Sequence, residues 1–394
     1  MWHHTIRHMS QYVLKEIDSN YTPESVTNAD FDDFIVIWKK ISDKILKDVT
    51  EEQPNINSLH FLSKLISLIS LGETDIKNIA ELLLTGNKAI ILWGAPGTGK
   101  TYESMRVIKK MLAENIDEKY FENKYLFSKN EVNIDDAHGY YEMIQFHPNY
   151  TYEDFIGGIQ PSLTGDGINY ELKQGIFKRF CDEARKTKEK FDAHKKSDVS
   201  TENELPKYIF VIDEINRAEL SAVFGELLFA LEYRNKSINL PHFGEFQIPD
   251  NVYLIGTMNN VDKSLVTFDL ALRRRFSFFK LEPNLKTLNN MPELDFLNYE
   301  NKQNFIIRAD KLNAEISKTL NLEDDYKIGQ AYFKKIIDFI NKYEEKAISN
   351  FALEKLWEYH LYPLLEEYLG ASIDDSSIDK KLKDLKDNFI KDLG

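Results

Sequence analysis

A glycine-rich loop at residues 94–101 carries the residue types and spacing needed to hold a phosphate group. It follows the pattern G-x-x-x-x-G-K-T, and its residues are Gly94, Ala95, Pro96, Gly97, Thr98, Gly99, Lys100 and Thr101. The apolar run Ile90–Trp93 precedes it and the helical pattern Tyr102–Leu112 follows it, which is the strand, loop and helix order that this spacing requires. Backbone N–H groups of such a loop turn toward one anion, and the helix N-terminus adds a positive potential. We therefore predict that Lys100 contacts the β- and γ-phosphates of a nucleotide and that Thr101 is a ligand of Mg²⁺.

Two acidic residues follow a second buried strand. The continuous apolar run Tyr208–Ile212 ends in Asp213 and Glu214, as expected of a parallel strand that delivers carboxylates at its carboxyl end. Ligands of open α/β sheets bind beyond that edge, where the phosphate loop also lies. We predict that Asp213 holds Mg²⁺, directly or through water, and that Glu214 activates the attacking water. The alternative is that the two acids only cap the helix that follows.

A third strand and a cluster of arginines come later in the chain. The strand Val252–Met258 ends in Asn259, which the same geometry puts at the edge that carries the acids. A predicted helix over Leu265–Leu272 then ends in the arginines at 273–275. By themselves, three arginines in this position indicate a solvated helix end that complements the helix dipole.

Composition and charge limit the classes of function. The chain has 394 residues, 42% of them hydrophobic, which is enough for two or three domains with their own cores. A formal net charge of −14 argues against wrapping of nucleic acid by the whole surface, so any DNA contact is predicted to be local or made through a partner. The single cysteine, Cys181, is predicted to be a packing residue. No stretch has the apolar length of a membrane span or a signal peptide, so we expect a cytoplasmic protein without membrane contact.

Hydrophobic periodicity divides the chain into three predicted domains. Residues 1–85 form a small helical region, residues 86–283 an α/β nucleotide-binding domain, and residues 284–394 a helical lid. The predicted fold class is thus α/β, a parallel sheet flanked by helices. The further expected elements are a surface excursion between Lys109 and His138, strands over Tyr141–Phe146 and Ser277–Leu281, hairpins within Gly157–Gly175 and Ile238–Ile248, and helices over Ile176–Lys190, Ala218–Tyr233, Phe305–Leu320, Ala331–Tyr343, Phe351–Leu369 and Ile378–Leu393.

In this order the pieces resemble a P-loop AAA+ ATPase, and more narrowly the McrB family, the nucleotide-hydrolysing subunits of methylcytosine-dependent restriction systems. The resemblance covers residues Ala89 to Tyr368, and the joint specificity of its motifs is high. The strings that resemble the family are QFHPNYTYEDFIGGI at 145–159, DEINRA at 213–218, IGTMN at 255–259, LALRRRF at 270–276, IGQAYF at 328–333 and PLLEEY at 363–368.

The resemblance implies a homo-oligomeric ring, usually a hexamer, in which each nucleotide site is completed by the neighbouring copy. It makes Arg274 and Arg275 candidate arginine fingers that act in trans on the γ-phosphate, with Arg273 beside them, and Asn259 the sensor that positions the attacking water. It also implies GTP or ATP as the nucleotide, Mg²⁺ as the cofactor and a separate nuclease subunit of the McrC type. The acidic residues of this chain show no P-D and E-x-K grouping of a nuclease.

Three segments depart from the family pattern. Where the family has a signature close to Asn-Thr-Ala-Asp-Arg-Ser, this chain reads NNVDKS at 259–264, and Lys263 replaces a planar, bidentate arginine. The choice between GTP and ATP is therefore open. Gln330 and Ala331 stand where His-Ser is more common, and we assign them no catalytic role. Residues 1–85 do not resemble the domain that reads modified bases in the best-known members, so recognition of methylated DNA is not predicted.

Two other functions are compatible with the same residues. An AAA+ remodelling chaperone of the metal-chelatase-like class would have the same sheet and would act on a protein client. A nucleotide-gated assembly switch with feeble turnover is a third possibility, but Glu214 counts against it because a switch needs no base to activate water. A neighbouring nuclease favours the restriction motor, whereas DNA-independent hydrolysis stimulated by a protein client favours the chaperone.

Overall fold

The computed structural model of the chain describes the domain that carries the phosphate loop and the helices that follow it. Its described residues are 73–112, 139–164, 167–197, 205–234, 236–259, 261, 270–320, 322, 324–340, 347–369 and 376–391. Most of the predicted N-terminal helical region (residues 1–72), the start of the predicted helix at Leu265 and most of the excursion predicted between Lys109 and His138 (residues 113–138) lie outside these ranges. The first four residues of that predicted excursion, 109–112, are helical.

Nine strands form one large sheet and two hairpins in the described ranges. The strands are β1 Ala89–Gly94, β2 Gly139–Gln145, β3 Gly157–Thr164, β4 Gly167–Gln174, β5 Lys207–Asp213, β6 Ile238–Leu240, β7 Gly244–Phe246, β8 Val252–Asn259 and β9 Ser277–Lys280. The large sheet has the order β2-β5-β8-β1-β9, and all of its neighbouring strands are parallel. The antiparallel pairs β3-β4 and β6-β7 are the two predicted hairpins.

Helices precede, flank and follow this sheet. They are α1 Glu73–Thr85, α2 Lys100–Leu112, α3 Tyr152–Phe155, α4 Ile176–Ser197, α5 Leu220–Phe224, α6 Leu227–Glu232, α7 Leu270–Arg273, α8 Tyr299–Thr319, α9 Gln330–Lys334, α10 Asn350–Leu356, α11 Tyr362–Leu369 and α12 Ser376–Ile390. A parallel sheet flanked by helices and followed by a helical lid is the predicted fold class, and the structure confirms it.

The central strands are buried on both faces. Successive residues of a strand point to opposite faces of the sheet, and Ile90, Ile91 and Leu92 of β1 are all fully buried. The same holds along β5 and β8, whose apolar runs read as buried strands in the sequence. Cys181 of α4 belongs to this core, and burial raises the pKa of its thiol, in agreement with its predicted packing role.

The strand register brings three functional segments to one edge of the sheet. Gly94 at the end of β1 lies opposite Asn259 at the end of β8. Asp213 at the end of β5 lies opposite Gln145 of β2. Because parallel strands end at the same edge, the loop after β1 and the polar residues after β5 and β8 share one side of the domain.

One continuous helix is predicted over residues 218–233, but the structure has two short helices there. The prediction of a single helix is therefore wrong. A 3₁₀ turn, Ile215–Arg217, follows β5, and the break between α5 and α6 falls at Gly225. Gly225 has φ +48°, and a Cβ there would lie 3.0 Å from the ring of Tyr152. The chain therefore turns at a position where a continuous helix cannot form.

The lid has a second hydrophobic core, distinct from that of the sheet domain. It is built from α8, α10, α11 and α12 and the segments between them. The predicted helix over Ala331–Tyr343 is shorter, because α9 ends at Lys334 and a 3₁₀ turn, Lys335–Phe339, follows it. A π-helical stretch, Trp357–Leu361, joins α10 to α11 just before Pro363, whose missing N–H cannot complete a regular helical ladder.

The predicted domain boundaries at 85/86 and 283/284 stay predictions. Helix α1, the described part of the predicted N-terminal region, packs against α2 and β1, and its Ile79 and Leu83 are buried. Within the described ranges, every helix is too short or too polar to cross a bilayer. The cytoplasmic location also stays a prediction.

Candidate functional site

Residues from three strand ends meet where the phosphate loop enters α2. The Thr101 hydroxyl donates to Oδ1 of Asp213 at 2.8 Å, so the loop and the end of β5 are in direct contact. The Asn259 amide at the end of β8 donates to Oε1 of Glu214 at 2.5 Å. The side chains predicted to act together on a nucleotide are thus brought together by the fold.

Lys100 is buried at the base of the loop. Its ammonium group donates to the carbonyl oxygens of Gly94 at 3.1 Å and Ala95 at 2.9 Å. Burial lowers the pKa of Lys100 to about 8, although the carboxylates of Glu214 and Asp213 oppose that shift. A cation held in a dry site next to two carboxylates is suited to bind a polyphosphate, whose charge would raise this pKa again.

Asp213 offers an oxygen site that suits Mg²⁺. Thr101 and Thr257 both donate to Oδ1 of Asp213, at 2.8 Å and 2.6 Å. The carboxylate is therefore held in one orientation by two hydroxyl groups. Hydroxyl and carboxylate oxygens are the ligands that Mg²⁺ prefers, usually together with waters and substrate phosphates. The residues present fit the metal that the sequence predicts.

Glu214 is fixed through both its backbone and its side chain. Its backbone is left-handed, with φ +52° and ψ +48°, and its N–H donates to the Thr257 hydroxyl at 3.1 Å. Its Oε1 accepts from Asn259, and its Oε2 lies 3.6 Å from Nε of Arg217. A left-handed conformation is uncommon for a residue with a side chain and occurs where surrounding contacts determine it. Glu214 is thus turned away from the course of β5 and toward Asn259.

Thr257 and Asn216 are site residues that the sequence analysis did not single out. Thr257 is 1% exposed and connects the carboxylate of Asp213 to the backbone of Glu214. Asn216 is also buried and donates to the carbonyl of Asn259 at 3.1 Å. Strand alternation could have identified Thr257, since it lies two residues before Asn259 and therefore on the same face of β8.

Replacing Thr257 with valine should lower turnover without preventing nucleotide binding. Valine has nearly the same shape but cannot bond Asp213 or the Glu214 backbone, so both groups lose their support. We expect kcat to fall about 10- to 100-fold, as for other residues that orient metal-binding carboxylates. Steady-state kinetics on purified protein measures this. Thr257→Ser keeps the hydroxyl and should retain most activity, and equal activity in the valine and serine variants would contradict the positioning role.

The three arginines have different surroundings. Arg275 is 10% exposed; its Nη2 lies 3.2 Å from Oε2 of Glu232, and its Nε donates to the carbonyl of Leu228 at 2.7 Å. Arg274 is 63% exposed, with its Nε 3.4 Å from the same Glu232 oxygen. Arg273 is exposed and lies over the ring of Phe278. Arg275 is therefore anchored inside its own chain, whereas Arg274 faces outward.

Only part of the segment that corresponds to the family's nucleotide signature is described. Asn259 and Val261 are described, and Asn260, Asp262, Lys263 and Ser264 lie outside the described residues. Val261 packs in the lid core. Lys263 is the residue that bears on the choice between GTP and ATP. Since it lies outside the described residues, that choice stays open.

Two family profiles match the chain. The profile described as an AAA domain of the dynein-related subfamily matches residues 134–276. The profile described as the McrB alpha-helical lid domain matches residues 304–375. The first match covers the sheet domain from β2 to Phe276, without β1 and the phosphate loop, and the second lies within the lid.

Two curated bacterial proteins are similar over long stretches. The EcoKMcrB subunit of a type IV methyl-directed restriction enzyme from Escherichia coli K12 is 37% identical over an alignment of 279 residues, and the match covers 67% of this chain and 50% of that protein. The YdiS component of the type II restriction enzyme BsuMI from Bacillus subtilis 168 is 29% identical over an alignment of 219 residues, and the match covers 49% of this chain and 56% of that protein. The chain thus spans about half the length of these relatives.

A solved structure is also similar, but weakly. A closed-state structure of Hsp104 with ATPγS and casein aligns with 81% of this chain and 46% of that chain, at a TM-score of 0.34 and 14% identity. A likeness of this size supports no inference about function.

Proposed function

We propose that this chain, which belongs to the McrB family of AAA+ proteins, is a Mg²⁺-dependent GTP or ATP hydrolase that drives a separate nuclease. The observation that carries the hydrolase assignment is the connected site at the sheet edge. There Thr101 bonds Asp213, and Asn259 bonds Glu214. Thr257 links these two pairs, and the buried ammonium group of Lys100 interacts with the charges of both carboxylates. These are the groups that phosphoryl transfer from a nucleotide needs, at the sheet edge where α/β proteins bind their ligands.

Each residue has a distinct role in the proposed reaction. Lys100 leaves its carbonyl partners and contacts the β- and γ-phosphates. Glu214 orients a water molecule and takes its proton as the water oxygen bonds to the γ-phosphorus. The bond from the γ-phosphorus to the bridging oxygen then breaks, and the nucleoside diphosphate leaves. Asn259, already bonded to Glu214, holds the attacking water in line.

Thr101 and Asp213 are the residues that would hold Mg²⁺. When bound, the ion would neutralise charge on the phosphate oxygens. Thr257 keeps the Asp213 carboxylate in place for this role through its 2.6 Å hydrogen bond.

The catalytic site would be completed by a second copy of this chain in a ring, for which we propose a hexamer. Of the two arginines predicted as fingers, Arg274 is the better candidate because its side chain is mostly exposed. Arg275 would act as its anchor, since its ion pair to Glu232 and its bond to Leu228 tie the segment after α7 to α6. A guanidinium group from the neighbour would stabilise the charge that develops on the γ-phosphate.

Mixing two inactive variants should test whether Arg274 acts in trans. Arg274→Ala alone should lower kcat by about 10³-fold or more, as for other arginine fingers. When it is mixed with Lys100→Ala, some sites combine an intact Lys100 with an intact Arg274 from the neighbour, so hydrolysis should partly recover. A mixture of Lys100→Ala and Glu214→Gln is the control, since both defects lie in the same copy's site and no mixed site is complete. Recovery in neither mixture would contradict the trans role.

The proposed place of the activity is a restriction or phage-defence system. Both curated relatives are described as components of restriction enzymes. The partner would be a nuclease subunit of the McrC type, and DNA would be contacted through that partner or through a local surface of this acidic chain.

Hydrolysis of GTP and ATP, measured side by side, tests this proposal. The full chain is assayed with Mg²⁺, alone and with a candidate McrC-type nuclease and DNA. We expect one nucleotide to be hydrolysed and the nuclease to stimulate that hydrolysis. Stimulation by a protein client without DNA, and none by the nuclease, would favour the remodelling chaperone instead.

A further inference from the structure

The lid covers the outer side of the phosphate loop with its own backbone. The N–H of Gly329 donates to the carbonyl of Pro96 at 3.2 Å, and the N–H of Ala331 donates to the carbonyl of Gly97 at 3.0 Å. The approach is close, because a Cβ at Gly329 would lie 2.1 Å from the carbonyl carbon of Gly97. The two segments therefore pack backbone to backbone, more than 230 residues apart in the chain.

Gln330 adds a side-chain bond to this contact. It is 8% exposed and begins α9. Its Nε2 donates to the carbonyl of Thr98 at 2.7 Å, and its Oε1 accepts from the backbone N–H of Asn284 at 3.2 Å. Both the nitrogen and the oxygen of the buried amide are thus hydrogen-bonded. This one side chain connects the phosphate loop, the start of the lid and helix α9.

Together these bonds fix three successive peptide groups of the loop. The carbonyls of Pro96, Gly97 and Thr98 each accept a hydrogen bond from the lid. In a planar trans peptide the next residue's N–H points opposite to the carbonyl, and the described part of the chain has no cis peptide bond. The N–H groups of Gly97, Thr98 and Gly99 are therefore directed away from the lid, toward the side on which a loop of this type holds phosphate.

We propose that Gln330 is a positioning residue that keeps the phosphate loop in its anion-binding shape. The inference rests on the proposed function, because it concerns the same nucleotide site. Gln330 acts through the Thr98–Gly99 peptide and not through contact with the reacting atoms. Its loss should therefore weaken nucleotide binding far more than it slows the chemical step.

Gln330→Met tests this proposal, because methionine keeps the size of the side chain and removes both hydrogen bonds. We expect the Kd for a fluorescent Mg-nucleotide, measured by titration of the full chain, to rise about tenfold, the effect of one well-placed hydrogen bond. At saturating nucleotide, kcat should stay within about twofold of the unmutated value, a split between KM and kcat that general damage to the lid would not give.

Two further variants sharpen the test. Gln330→Glu keeps the acceptor for Asn284 but sets a carboxylate against the Thr98 carbonyl, so it should bind more weakly than Gln330→Met. Gln303→Met is the matched control, since Gln303 is a half-buried lid glutamine that bonds Asn289 at 2.8 Å. It should leave Kd unchanged.

Hydrogen exchange of the loop amides gives a readout without nucleotide. Exchange at residues 97–99 should be faster in Gln330→Met than in the unmutated chain, and unchanged in Gln303→Met. If the unmutated chain binds a nucleotide and Gln330→Met binds it equally well, the positioning role is wrong. If the unmutated chain binds neither GTP nor ATP, the proposed function itself fails.

Discussion

Lys100→Ala should abolish measurable binding of GTP and ATP. The lysine is the buried cation of the phosphate loop, and its ammonium group donates to two loop carbonyls that it can exchange for phosphate oxygens. Truncating one partner of a buried charge pair costs enough to weaken binding by about 100-fold or more. Equilibrium titration with a fluorescent nucleotide measures the change.

The pH dependence of binding provides a second view of the same lysine. Its pKa in the unbound protein is lowered to about 8, and a bound polyphosphate would raise it. Binding therefore favours the protonated form, and nucleotide affinity should fall as the pH rises above about 8. This fall should be absent from any residual binding by Lys100→Ala.

Lys110→Ala is a suitable control for this substitution. Lys110 lies on the same helix, α2, but is exposed, so its loss should leave nucleotide affinity within about twofold. If Lys100→Ala retained affinity within a few-fold of the unmutated chain, the assignment of the loop as a phosphate site would be wrong.

Glu214→Gln should stop hydrolysis and leave nucleotide binding intact. Glutamine has the same shape and can still accept the hydrogen bond from Asn259, but it cannot take a proton from water. Loss of a general base lowers kcat by about 10²- to 10⁴-fold. Single-turnover hydrolysis and nucleotide titration on the same preparation separate the two effects, and the variant should accumulate in the triphosphate-bound state.

An exposed carboxylate close by gives the matched control. Glu219 lies five residues further along the chain and undergoes the same change of charge in Glu219→Gln. That variant should hydrolyse normally. Normal turnover in Glu214→Gln would instead remove Glu214 as the base and leave its left-handed conformation without a catalytic explanation.

Much of the fold and of the site could be predicted because the signals are local in sequence. The spacing of Gly94, Gly99 and Lys100 identifies the phosphate loop, and the apolar runs before Asp213 and Asn259 identify buried strands that end at one edge. In each case, the residues that form the pattern are neighbours along the chain, so no tertiary contact has to be known.

The structural features that the sequence does not predict depend on contacts between distant segments. The break at Gly225 follows from a backbone turn beside Tyr152, and the anchoring of Arg275 follows from Glu232, more than 40 residues earlier. The contact of Gln330 with Thr98 joins the lid to the loop. Residue propensity and periodicity carry no information about such pairs, because tertiary packing decides them.

The most direct test of the central claim is a titration of the unmutated full chain with fluorescent GTP and ATP, with and without Mg²⁺. If the loop, Asp213, Glu214 and Asn259 form one site for a metal–triphosphate complex, at least one nucleotide should bind saturably and Mg²⁺ should strengthen its binding. Failure to bind either nucleotide in the presence of Mg²⁺ would contradict the account.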